Sequence, residues 1–254
     1  MTLLPRPGIL LPTPDLATLG RWADAAPAAY RFTPGGAPAL LHNAHYGNTR
    51  AQLGYALTHA YNSVEGDVRL DAGVPVMRHD RTAPWDLTFE QWAGFVARSG
   101  KHLRVDLKDA EALGPVTAIL QRLGVPSGLV TFNVAALAPW SAANQSIDAI
   151  RELRANFPDS WVTLNLPLPF GAGYGLAIRA ARMIGGHHLG VAVMEGLVSE
   201  RDIRRLRSAF EVVNAWNLPL FGDPDIATAI THLRLMGVNG MIDLRRKDDP
   251  LAYD

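Results

Sequence analysis

Two stretches of this chain put charge at alternate positions of otherwise apolar runs: Val64-Glu65-Gly66-Asp67-Val68 and Arg104-Val105-Asp106-Leu107-Lys108. In an extended strand, alternate side chains share a face. Glu65 and Asp67 therefore point together, away from Val64 and Val68. Arg104, Asp106 and Lys108 likewise oppose Leu103, Val105 and Leu107. Uncompensated buried charge is too costly to be incidental. Two histidines stand at strand ends, His45 in His-Tyr-Gly-Asn-Thr and His79 in Met-Arg-His-Asp. Carboxylates, histidines and a lysine on neighbouring strands point to a metal-assisted acid–base site.

Glu65, Asp67 and Asp106 offer hard oxygen ligands. They suit Mg²⁺ or Ca²⁺, with waters or substrate oxygens completing the shell. Histidine titrates near neutrality, so of His45 and His79 one can take a proton while the other gives one. Lys108 supplies fixed positive charge for a phosphoryl oxygen that gains charge in the transition state, and a bound metal would do the same. These parts suit cleavage of a phosphodiester. A neighbouring hydroxyl on the substrate would give a cyclic phosphate; otherwise water attacks. Asn48, Asn133, Trp216 and Arg81 are the expected substrate contacts, with Arg78 and Glu195 as further polar groups. His42 competes with His45, and His45 is preferred because Asn48 follows it by three residues. The bland readings are a solvated edge strand for Glu65 and Asp67, a structural ion pair for Asp106 and Lys108, and a core aromatic for Trp216. His187 and His188 read as a solvated loop, and His59 and His232 as helix residues with no functional reading.

The elements that must position these groups follow a strand-then-helix rhythm. Strand candidates are Ala39–Asn43, Ser63–Arg69, His102–Leu107, Leu129–Asn133, Trp161–Leu166, Gly190–Met194, Glu211–Trp216 and Gly240–Asp243, with Val74–Arg78 flanking the second. Helices are expected over Thr49–Ala60, Thr88–Arg98, Gly114–Leu123, Ser146–Asn156, Gly175–Ile184, Glu200–Ser208 and Pro224–Met236. Thr88 and Ser199 are N-cap signals, and Gly124 and Gly237 are C-cap signals. Alternating strands and helices imply parallel βα units. Eight such units fit a (β/α)8 barrel. No Gly-x-Gly-x-x-Gly follows the first strand, which disfavours a dinucleotide fold. In a barrel, functional residues gather at the C-terminal strand ends, where these candidates fall. Residues 1–37, rich in Pro, Ala and Gly with one helix near Leu16–Ala25, read as an arm packing on a single catalytic domain over 38–254.

Composition narrows the partners. Formal net charge is zero, from 24 basic and 24 acidic residues, so no global electrostatic case for nucleic acid exists. The 48% hydrophobic content suits a folded domain. Cysteine is absent, so any metal must be held by oxygen or imidazole. With no signal-peptide pattern and no long apolar span, a cytoplasmic protein without a transmembrane segment is expected. Its partner is then a small-molecule or lipid-derived phosphodiester. Oligomeric state is not legible.

The residues also carry a resemblance. Val64-Glu-Gly-Asp-Val with the later His79-Asp80 resembles the Ile-Glu-x-Asp-Val…His-Asp pattern of glycerophosphodiester phosphodiesterases. His45-Tyr-Gly-Asn48, Glu65-x-Asp67 and Val-Asp106-Leu-Lys108 are similar to the spider-venom sphingomyelinase D branch of that superfamily. The match is best with the menorin family, through Ser99-Gly-Lys-His-Leu-Arg-Val-Asp-Leu-Lys108, Asp86-Leu-Thr-Phe-Glu-Gln-Trp92 and Phe132-Asn133-Val-Ala-Ala-Leu137. It covers roughly residues 40–140, with Val213-Asn-Ala-Trp216-Asn and Gly237-Val-Asn-Gly240 as late markers. The resemblance implies a TIM barrel of the phospholipase-C-like phosphodiesterase type. It implies a metal on Glu65, Asp67 and Asp106, with His45 as base or nucleophile and His79 as acid, or the reverse. Tyr46 departs from the glycerophosphodiesterase His-Arg-Gly, so the arginine that binds phosphate there is missing. A non-catalytic barrel binding a phosphorylated ligand or a protein is the alternative. A Schiff-base lyase or aldolase is disfavoured by the paired histidines.

Overall fold

The computed structural model describes residues 11–166, 171–217, 225–246 and 249–251. Parallel strands β1 (Asn43–Ala44), β2 (Ser63–Asp71), β4 (His102–Leu107), β5 (Val130–Ala136), β7 (Trp161–Asn165), β8 (Leu189–Met194), β9 (Val212–Trp216) and β10 (Ile242–Asp243) pair in that order, forming a nearly closed barrel. β3 (Val74–Met77) folds back antiparallel on β2, and β6 (Asn144–Gln145) pairs with the end of β5. Helices α2 (Arg50–Thr58), α3 (Phe89–Ser99), α4 (Leu113–Arg122), α5 (Ile147–Asn156), α6 (Ala172–Ile184), α7 (Glu200–Arg207) and α8 (Ile226–Leu235) lie between successive barrel strands. α1 (Leu16–Asp24) precedes them and packs on α2 and α3, with Leu19 and Ala23 in the common core.

Local signals set the helix ends. Thr49 with Gln52, Thr88 with Gln91 and Ser199 with Asp202 form reciprocal capping boxes. Gly124 and Gly237 stop α4 and α8 at φ 64° and 101°. The core lies between barrel and helices, where Trp92, Phe89, Leu103, Leu107 and Phe132 are fully buried. Gly66 shows how closely β2 and α3 approach. A Cβ there would lie 2.3 Å from Met77 Cε and 2.9 Å from the Trp92 ring.

The first strand departs from expectation. Residues Pro38–Leu40 form a 3-10 turn that Pro38 opens, and pairing with β2 begins only at Asn43. His42 thus precedes the strand instead of lying in it. It is exposed, with Nδ1 2.7 Å from the Ala60 carbonyl. Among the described residues no helix is long and apolar enough to cross a membrane.

Candidate active site

Register builds the site. Asp67 lies beside Asp106 and Asp106 beside Asn133, one strand pair further round; one layer below, Glu65 lies beside Arg104. All five side chains are buried. Two linked groups result, one around Lys108 and one around His45.

In the first group, Lys108 Nζ lies 2.8 Å from Asp106 Oδ2 and 3.0 Å from Asp67 Oδ1. Asn165 donates to Asp106 Oδ1 at 3.1 Å. Asn48 holds Asp67 from two sides, donating to Oδ2 and accepting from its backbone N–H, both at 2.8 Å. Burial pushes the Asp67 carboxyl up, yet Lys108 and the Asn48 hydrogen bond leave it below the ordinary aspartate value. Asp106 goes the other way. Burial, with repulsion from Asp67 and Glu65, holds it above that value despite Lys108. Burial would lower Lys108, but Asp106 and Asp67 outweigh it and keep the ammonium charged.

In the second group, His45 Nδ1 lies 2.7 Å from Asp243 Oδ2 and 3.4 Å from Glu65 Oε2. Asn43 donates to Glu65 Oε2 at 2.8 Å and to Asp243 Oδ2 at 3.1 Å. Arg104 Nε lies 3.3 Å from Glu65 Oε2. With its amide oxygen turned toward Arg104, Asn133 accepts from Nε at 2.9 Å and Nη2 at 3.1 Å. Burial opposes ionisation of Asp243, but His45 and Arg245 hold it well below the usual carboxylate range. Ligand atoms of His45, Glu65 and Asp243 lie within 4.8 Å of one another, a group able to hold a metal ion.

The two histidines differ in setting. His79 follows β3 on a segment fixed by the Arg78 amide donating to the Asp67 carbonyl and by Arg69 donating to the His79 carbonyl. Its Nδ1 lies 2.9 Å from Asp80 Oδ1, and the side chain is 39% exposed. Between the histidines stands Tyr46, its ring edge-on to His45 at 4.3 Å and to His79 at 5.8 Å, with the Arg245 guanidinium 5.3 Å above it. Tyr46 adopts φ 54°, a left-handed conformation that costs a bulky residue about 1–3 kcal/mol.

The remaining expected contacts lie further out. Arg81 is exposed and donates to Asp109 Oδ1 at 2.7 Å, an acceptor it shares with Arg69. Trp216 ends β9, half-buried, in register with Asp243 and Met194; its carbonyl accepts from the Glu195 amide. Sequence reasoning missed Asp243, Asn43, Asn165, Tyr46 and Arg245. Asp243 ends the last strand candidate and was open to the strand-end rule that selected Asp106.

Solved structures share this fold. A candidate glycerophosphodiester phosphodiesterase from Galdieria sulphuraria superposes with TM-score 0.57 at 14% identity, over 85% of this chain and 95% of its own. A glycerophosphoryl diester phosphodiesterase from Parabacteroides distasonis gives 0.58 at 14%, over 95% and 92%. An Oleispira antarctica phosphodiesterase, solved with its product sn-glycerol-3-phosphate, gives 0.55 at 16%, over 85% and 94%. The stretch that supplies His45, Glu65, Asp67, His79, Asp106, Lys108 and Asn133, residues 39–151, matches the Menorin N-terminal domain family.

Proposed function

We propose that this protein is a metal-dependent phosphodiesterase acting on a small or lipid-derived phosphodiester, with His45 and His79 as its acid–base pair. The observation that carries the reading is the packing of Asp67, Asp106 and Lys108 one layer above Glu65, with His45 after β1 reaching Glu65 from the side. The solved phosphodiesterases of the same fold support the general class.

The donors available to a divalent cation fall into the two groups described above. Glu65, Asp67, Asp106 and Asp243 are buried together, against Arg104, Lys108 and Arg245. Burial first, then repulsion from Asp67 and Glu65, raises the Asp106 carboxyl. Among the described residues, the group whose ligand atoms lie within reach of one ion is His45, Glu65 and Asp243. Of the expected ligands only Glu65 belongs to it; Asp67 and Asp106 are held by Lys108 and would have to turn from its ammonium to join Glu65 in holding Mg²⁺ or Ca²⁺ through hard oxygen atoms. When bound, such an ion neutralises charge developing on a non-bridging phosphate oxygen.

The His45 Nδ1–Asp243 contact orients the ring and, with the proton on Nδ1, leaves Nε2 as the basic nitrogen. His45 then takes the proton of the attacking hydroxyl or water, and His79 protonates the leaving alkoxide. Lys108, charged by its two carboxylates, adds fixed positive potential where the phosphoryl group gathers charge.

The test is purified protein against glycerophosphodiesters, lysophospholipids, cyclic phosphates and an aryl phosphodiester, with and without chelator. Chelator-sensitive turnover is expected, abolished in Asp106→Asn, Glu65→Gln, His45→Ala and His79→Ala. Full activity in either carboxylate variant removes the metal assignment. If His42→Ala stops turnover while His45→Ala does not, the choice of histidine is wrong.

A further inference from the structure

Tyr46 has no part in the chemistry above, yet the fold spends strain to keep it. A tyrosine occupies a left-handed backbone position that glycine would take without penalty, at φ 54°. Strain of this kind clusters at functional sites. The ring meets both histidines edge-on and lies under the Arg245 guanidinium. Arg245 is itself anchored, donating to the Asn217 carbonyl at 3.1 Å, with its Nε 4.0 Å from Asp243 Oδ1. The phenol is half-buried; among the described residues its hydroxyl makes no hydrogen bond to protein and is not one of the buried polar atoms left unpaired, so it is open to water or a ligand. Burial, with Asp67 next, pushes its ionisation up to about 12, so at neutral pH it is a donor.

A donor on a left-handed residue, open between two acid–base groups, is placed where a substrate acceptor belongs. We propose that Tyr46 is a substrate-binding residue: its ring is the wall between His45 and His79, and its hydroxyl donates to a non-bridging oxygen of the phosphodiester. The inference rests on the phosphodiesterase reading and deepens it by naming what grips the phosphate. The phosphate oxygens are the acceptors that a phosphodiester must present between a base and an acid on either side of the scissile bond. The cation above the ring and Lys108 across the site favour an anion at this point.

The test compares Tyr46→Phe with wild type. The variant keeps the ring, its contacts with both histidines and the guanidinium stacking, and removes only the hydroxyl. Binding of sn-glycerol-3-phosphate and of inorganic phosphate is measured by calorimetry, and KM and kcat with the panel substrate that wild type turns over. Expected is affinity weaker by roughly tenfold or more, the size of a lost hydrogen bond to a charged acceptor, with KM raised alike and the urea midpoint unchanged. Tyr46→Asn, which tolerates the left-handed backbone, should lose kcat as well because the wall is gone. Phosphate affinity and KM equal to wild type in Tyr46→Phe overturn the proposal while the phosphodiesterase reading stands. A midpoint that falls in step with affinity also overturns it, by making Tyr46 structural. Wild-type protein that neither cleaves any panel member nor binds sn-glycerol-3-phosphate overturns both.

Discussion

Lys108 lets two carboxylates share the barrel interior, because its ammonium touches both Asp67 and Asp106. Lys108→Met keeps the stem and removes the charge, leaving two buried carboxylates facing each other. The expected cost is about 3–5 kcal/mol, the range for breaking a buried pair from one side, read as a drop in urea stability at pH 7. With the ammonium gone, the Asp106 carboxyl rises further, and protonation relieves the repulsion. The deficit against wild type should therefore shrink as pH falls toward 5, and a deficit independent of pH would mean that packing, not charge, is lost. Asp243→Asn tests the other group. Its amide oxygen can still accept from His45, but the carboxylate charge beside the ring is absent. A fall in kcat of about 10² or more is expected in the panel assay, with KM little changed. Glu65, Asp67, Asp106 and Lys108 were legible in the sequence because alternation over long strands reveals which side chains share a face. Asp243 was legible only by its place at a strand end, since β10 has two residues and shows no alternation; Asn43 and Asn165 were not, because β1 is equally short and Asn165 is the last residue of β7. Tyr46 was visible only as a departure from a pattern, since nothing in its neighbours states that its φ is positive.

At the scale of elements, β2 and α3 set the placement of the carboxylates. Glu65 and Asp67 can face inward only if the outward residue between them yields to Trp92 and Met77, and Gly66 does so by having no side chain. Gly66→Ala inserts a methyl into a fully packed layer. It should cost about 1–3 kcal/mol, measured by urea denaturation, and turnover should fall with it as β2 is displaced. An unchanged midpoint would show that the layer can open without cost. The same pairing explains why the barrel was readable. Long strands such as Ser63–Asp71 and capped helices such as Phe89–Ser99 carry their period and their end signals locally. What escaped was short or set at a distance. β6 exists only because loop residues Asn144 and Gln145 reach the extended end of β5. The start of β1 is fixed by its partner β2 and by the Pro38 turn, not by its own residues.

Across the whole molecule, the barrel interior carries polar side chains toward both ends, and its seam is closed by the site. β1 and β10 are joined by Asn43 and His45 meeting Asp243, so the bonds that orient the acid–base group also hold the circle together. The opposite end of the same interior is closed by His102. Its Nδ1 lies 3.4 Å from Ser63 Oγ and its Nε2 3.2 Å from Thr131 Oγ1, with the ring edge-on to Phe32. Burial, aided by Arg104, holds this imidazole down to about 3, against 6.5 in the open chain. Between those values the unfolded chain binds a proton that the folded one refuses, so stability rises with pH there and is lost as pH falls below about 6.5. The slope from this one group approaches about 1.4 kcal/mol per pH unit. His102→Gln keeps a hydrogen-bonding side chain without the titration. Unfolding free energy measured in urea from pH 6.5 to 5 should decline more gently in the variant, by close to that slope. Parallel curves for the two proteins would mean that His102 accepts its proton inside the barrel.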